Sequence, residues 1–232
     1  MLFADDQLLI AQEYDDLDYM TRKLIEECEL WGLKLNNKKI KYMAIRDTLR
    51  FTTRRQEGDN NSCNECTYLG VRITKDGNQE PESKCRINRG RAAIKKLNSI
   101  LWDRDVTPKT KSRIYQSIVR STITYAAETW FLKAKTLAKL NFTQTAFWRR
   151  PARISRNDKF GNTVIKQKMN TVKSLLDDIK TKQVQCYGHV QRIEEGRLRK
   201  QVTKWRPPGR TKRCGPKLTW AEGIRGLMGK WD

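Results

Sequence analysis

The chain has 232 residues, with 48 Lys and Arg against 26 Asp and Glu, a formal charge of +22. An excess of that size repels itself in a compact state unless a polyanion neutralises it, so nucleic acid is the leading partner and a membrane surface the second. Seven Trp and seven Tyr argue against a wholly disordered chain, and no apolar run of about 18 residues offers a membrane span.

In chain order, residues 1–12, MLFADDQLLIAQ, place Asp5 and Asp6 between Leu2, Phe3, Ala4 and Leu8, Leu9, Ile10. The apolar flanks predict a strand hairpin with the acidic pair at its turn. Two adjacent carboxylates repel, and a cation at the turn, above all a divalent metal, would offset that. An ordinary acidic surface turn also fits. Leu17, Met20, Leu24, Cys28 and Trp31 recur at helical spacing, with Asp15, Asp16 and Asp18 at the start and Gly32 as a stop. LKLNNKKIKYMAI, within 33–45, predicts a short strand pair around Asn36 and Asn37, residues 51–64 a loop, and TYLGVRIT at 67–74 a strand.

From Ser83 the pattern turns helical. Ile87, Arg91, Ile94, Leu97 and Leu101 form one stripe, and Thr107-Pro108 starts a helix whose predicted inner face is Ile114, Ile118, Thr122 and Tyr125 or Ala126. A third helix is predicted over 135–148, two short ones over 171–193, and a last one in LTWAEGIRGLMGKW. Pro151 in RRPARI marks a helix stop or a decayed segment. The segment 197–217 has nine basic residues, three Pro and no acid, and predicts a mobile basic arm. The charge is lopsided. Residues 1–50 carry 8 basic and 10 acidic side chains, so 40 basic and 16 acidic remain for 51–232, a balance of +24. Six scattered Cys read as reduced thiols. The pairs Cys63/Cys66 and Cys186/His189 have ligand spacing but lie far apart in sequence, so no zinc is expected. His189 is expected as a packing residue.

Five stretches, in order, carry a resemblance. FADD (3–6) resembles the Asp-Asp hairpin of reverse transcriptases. GLKLNNKKIKYM (32–43) is similar to the fourth palm motif of LINE-type (non-LTR) retrotransposon polymerases, and YLGVRIT (68–74) to their primer grip. KSRIYQSIVRSTITYAAETW (111–130) resembles their thumb, and 186–220 their C-terminal region. The resemblance implies an α+β fold: a partial palm of antiparallel strands and one helix over 1–80, a helical thumb over 81–150, and a basic helical region over 151–232.

It also implies a chemistry. In RNA-directed DNA synthesis two divalent ions, about 3.5–4 Å apart, activate the primer hydroxyl and hold the departing oxygen. The resemblance makes Asp5 and Asp6 ligands of Mg2+ or Mn2+, with Asp5 direct. Lys39 would lie near the nucleotide phosphates, or be a solvated lysine. The family's Thr after this lysine is Ile40 here. Tyr68, Leu69 and Gly70 would press on the primer backbone. Arg86, Arg89, Arg91, Lys95 and Lys96 would reach phosphates from the thumb. In the arm, Arg197, Arg199, Lys204, Arg206, Arg210, Lys212 and Arg213, with Trp205, would hold single-stranded nucleic acid.

The family's earlier metal-binding Asp and its fingers have no counterpart in this sequence. The expectation is therefore a fragment that does not polymerise alone and binds no metal tightly. A non-catalytic nucleic-acid-binding protein of retroelement origin is the alternative. Its partners would be an RNA template and a DNA primer, not a membrane. Its place would be intracellular, in nucleus or cytoplasm, since no secretion leader is visible.

Overall fold

A strand hairpin opens the chain. β1 (Leu2–Phe3) and β2 (Asp6–Gln7) pair antiparallel, with Leu2 opposite Gln7 and Phe3 opposite Asp6. The computed structural model describes residues 2–3, 5–36, 39–45, 62–155, 157–169, 174–204 and 219–228. It is an α+β chain dividing into two units, 1–78 and 79–232.

In the first unit, α1 (Tyr14–Leu30) carries Asp15 and Asp16 in its first turn, where they complement the helix dipole. It stops in a Schellman turn. Gly32 has φ 69°, its N–H donates to the Glu29 carbonyl (3.0 Å), and the Leu33 N–H donates to the Cys28 carbonyl (2.8 Å). Leu17, Met20, Leu24 and Cys28 form the half-buried stripe expected of it, but Trp31, at the cap, is 80% exposed. The strand pair predicted over 33–45 does not form among the described residues. The Asn36 carbonyl accepts the Lys39 N–H in a turn (2.9 Å), and Tyr42 makes only an isolated bridge to Ser62.

The strand predicted over 67–74 is instead a tight hairpin. β3 (Glu65–Tyr68) pairs antiparallel with β4 (Val71–Thr74), Tyr68 opposite Val71 and Cys66 opposite Ile73. Its turn is Leu69–Gly70, with φ 47° and 75°. Positive φ at both central residues gives the twist that lets two strands pair directly. No described residue of this unit is fully buried.

The second unit holds the core. α2 (Glu80–Lys96) is followed by α3 (Asn98–Trp102). α4 (Pro108–Ile114) starts as predicted, with Thr107 Oγ1 accepting the Thr110 N–H (3.3 Å). It runs through a π-helical segment, Tyr115–Arg120, into α5 (Ser121–Thr124). The wider π turn moves the inner face by one residue. Lys111, Tyr115, Val119, Ile123 and Ala127, four apart, are buried, whereas Ile118 and Tyr125 of the predicted face are exposed. α6 (Ala134–Arg149) ends before Pro151, an ordinary helix stop in which the Ile154 N–H donates to the Arg149 carbonyl (3.0 Å).

α7 (Asn162–Lys168) and α8 (Leu175–Arg192) follow. The pair of short helices predicted over 171–193 is thus the single α8, begun by a capping box of Ser174 and Asp177. α9 (Leu198–Lys204) occupies the start of the segment predicted as an arm, and α10 (Trp220–Met228) is the predicted last helix. Trp220 Nε1 donates to the Glu128 carbonyl (2.9 Å) and anchors that last helix.

Ile87 and Ile94 of α2, Leu101, Tyr115, Val119, Ile123, Leu140, Phe147, Leu175 and Ile179 belong to one core, so the segments predicted as thumb and as C-terminal region pack together. Tyr115, Phe147 and Trp148 form its aromatic centre, with ring centroids 4.7–4.9 Å apart. Ring packing there offsets a cost. The Tyr115 hydroxyl and Trp148 Nε1 are buried without a hydrogen-bond partner among the described residues, about 1–3 kcal/mol each. Buried amides tie the helices: Gln183 Nε2 donates to the Trp130 carbonyl (2.7 Å), and Gln144 Oε1 accepts the Leu175 N–H (3.0 Å).

α2 meets α5 at Gly90. A β-carbon there would lie 2.4 Å from Ile123 Cγ1 and 2.5 Å from Cδ1. Gly90→Ala should therefore destabilise the fold by about 1–3 kcal/mol in denaturant unfolding. Its cost should fall in an Ile123→Ala background, a coupling that a double-mutant cycle measures.

Candidate functional site

Asp5 sits in the turn of the first hairpin and Asp6 on its returning strand, both exposed. Carboxylate oxygens suit Mg2+ or Mn2+. Yet no group of three or more His, Cys, Asp or Glu that could hold a metal occurs among the described residues. The doublet thus fits part of a divalent site and not a whole one, and no catalytic step follows from it. Lys39 lies exposed in the Asn36–Lys39 turn. Tyr68, half-buried, precedes the Leu69–Gly70 tip of the second hairpin. The two hairpins are separate two-stranded sheets, with no ladder between them among the described residues. Cys63 and Cys66 flank the start of β3. Burial, then the neighbouring Cys63, pushes the Cys66 thiol up.

The predicted phosphate-binding row on α2 splits in two. Arg86 is a correction: it is buried, and its Nε donates to Glu82 Oε1 (2.6 Å) in a pair whose side chains are 8% and 6% exposed. Its guanidinium also stands 4.4 Å from the Tyr125 ring centroid. A side chain so enclosed cannot reach a phosphate. The Glu82-to-Arg86 spacing of four residues was the sequence signal for this pair. Arg91 is half-buried, donating from Nε to Thr143 Oγ1 (3.0 Å) with its guanidinium 5.4 Å from the Phe142 ring centroid. Arg89, Lys95 and Lys96 are exposed. The carboxylates of α2 are confined to its first turn, Glu80 and Glu82, and none follows before Asp103.

Beyond α8 the predicted mobile arm begins as a fixed helix. Lys200 Nζ donates to the Ile193 carbonyl (2.8 Å), and Glu195 binds both Lys200 (2.8 Å) and Lys204 (2.7 Å). These hydrogen bonds, from Lys200 first, hold the Glu195 carboxyl down to about 2. Lys204 is therefore a cation already paired. Arg197 and Arg199 are exposed, Arg197 within reach of Glu194 (3.9 Å). Trp205, Arg206, Arg210, Lys212 and Arg213 lie outside the described residues. His189, expected as a packing residue, is exposed in the last turn of α8.

No known family profile matches the chain, and no solved structure does. The chain is 26% identical over 233 residues to an uncharacterized transposon-derived protein of Caenorhabditis elegans, across 96% of this chain and 82% of that one. The likeness is to a mobile genetic element. It supports a transposable-element origin over nearly the whole length, both units included.

The split of α2 has a measurable consequence. Arg86→Ala should cost about 3–5 kcal/mol of stability, because it removes the cation that faces the buried Glu82 carboxylate at 2.6 Å. Arg89→Ala should change stability by no more than about 0.5 kcal/mol. Urea unfolding of the two variants checks the contrast.

Proposed function

We propose that this chain is the C-terminal part of a LINE-type (non-LTR) retrotransposon reverse transcriptase. It would comprise the end of the palm, the thumb and the basic C-terminal region. Its own activity is to bind nucleic acid without sequence choice. One observation carries the binding: α2 turns Arg89, Lys95 and Lys96 outward on a stretch with no carboxylate between Glu82 and Asp103. Cations so placed neutralise phosphates and release counterions, which gives affinity without base readout.

The polymerase origin is supported by the acidic doublet at a hairpin tip, by the second tight hairpin at Leu69–Gly70, and by the transposon-derived relative. The first unit's lack of any fully buried described side chain is what part of a palm would show when its neighbouring strands are contributed elsewhere. Asp5 and Asp6 alone supply too few ligands to hold two ions, and no third candidate ligand joins them among the described residues. Polymerisation then requires a further carboxylate, brought by another segment.

Filter binding of a template–primer duplex should weaken steeply with salt. Replacing Arg89, Lys95 and Lys96 by Ala should make the log–log slope shallower by about 2–3. A flat salt dependence would remove the binding function. Primer extension on a homopolymer template with Mg2+ or Mn2+ should give no product. Robust extension abolished by Asp5→Ala would overturn the claim that the doublet is insufficient.

A further inference from the structure

Resting on the nucleic-acid reading above, we infer that the hollow between α6 and α7 is a stacking subsite for one base of a single strand, with Phe142 as its platform. Phe142 is half exposed, at 50%, although large aromatic side chains in a chain this polar gain by burial. Its ring lines a cavity of about 220 Å3 together with Thr145, Ala146, Arg149 and Asn162. That is smaller than a drug-sized site and suits a single ring system.

The walls are held rigidly. Arg149 donates to the carbonyls of Ser155 (3.1 Å) and Phe160 (2.9 Å), which fixes the chain leaving α6. Arg91 reaches across from α2, is pinned by Thr143, and sets its guanidinium over the Phe142 ring. An aromatic face beside fixed positive charge is the combination by which proteins hold single strands: the open face of the ring stacks on any base, and the guanidinium charges, held in place by the fold, attract the backbone through their field.

The local sequence favours a polyanion. Between Glu128 and Asp177 the single acidic residue is Asp158, whereas Lys135, Lys139, Arg149, Arg150 and Arg153 fall in the same stretch, and Lys133 there pairs with Glu80 (3.5 Å). Neither α6 nor α7 contains a carboxylate. The Thr145 hydroxyl and the Asn162 amide on the wall can each bond a base edge, and either accepts several bases by rotation. Binding there would be tolerant of sequence.

The test compares a dT oligomer of about 12 nucleotides with an abasic oligomer of the same length, by fluorescence anisotropy at several salt concentrations. The parent chain should prefer the base-bearing strand by about tenfold. That preference should fall toward one in Phe142→Ala and persist in Phe142→Trp, with circular dichroism confirming the fold of both. An unchanged preference in Phe142→Ala, with salt-dependent binding intact, would overturn the subsite and leave the binding function standing. No salt-dependent binding of either oligomer by the parent chain would overturn both.

Discussion

The approach of α2 to α5 at Gly90 is the constraint on which the second unit depends. Without a β-carbon at that position, the Ile123 side chain lies against the α2 backbone. That contact fixes the rotation of α2 about its axis. Ile87 and Ile94 then face the core, Arg86 is carried inward to Glu82 and Tyr125, and Arg91 is aimed at α6. What remains outward is Arg89, Lys95 and Lys96. The same packing that stabilises the helix therefore decides which of its cations can meet a phosphate. The π-helical segment extends this logic. By widening one turn it keeps Tyr115, Val119 and Ile123, four residues apart, on a single buried line.

Charge and burial are distributed together. The first fifty residues are nearly balanced and the remainder strongly basic. The first unit exposes its carboxylates at a hairpin tip and has no fully buried described side chain, whereas the second has a continuous core under a basic surface. In the second unit several cations already serve the fold itself. Lys111 donates to the Asp103 carbonyl, Lys182 to the hydroxyl and carbonyl of Thr124, and Arg120 pairs with Asp178. The net charge overstates the surface open to a polyanion, because these groups hold helices together.

Much of this was legible in the sequence, and the failures have physical causes. Local chemistry read well: Thr107-Pro108 as a helix start, Gly32 as a stop, and the hairpin turn at Asp5. These depend on one to four neighbouring residues. The strand at 67–74 was misread because Leu69 adopts the left-handed conformation, which few non-glycine residues enter. The inner face around Ile118 was misread because periodicity assumes an unbroken α-helix. Arg86 was misplaced because a helix face says nothing of which neighbour covers it. Phe142 gave no signal at all: its exposure and its Arg91 neighbour arise from packing between segments about fifty residues apart.

Differential lysine acylation, read by mass spectrometry with and without a short duplex, tests the central claim most directly. Lys95 and Lys96 should be protected by duplex at low salt and reactive again at high salt. Lys111, buried on the Asp103 carbonyl, should stay unreactive throughout. Equal acylation of Lys95 and Lys96 with and without duplex, under conditions where the duplex is bound, would contradict the account.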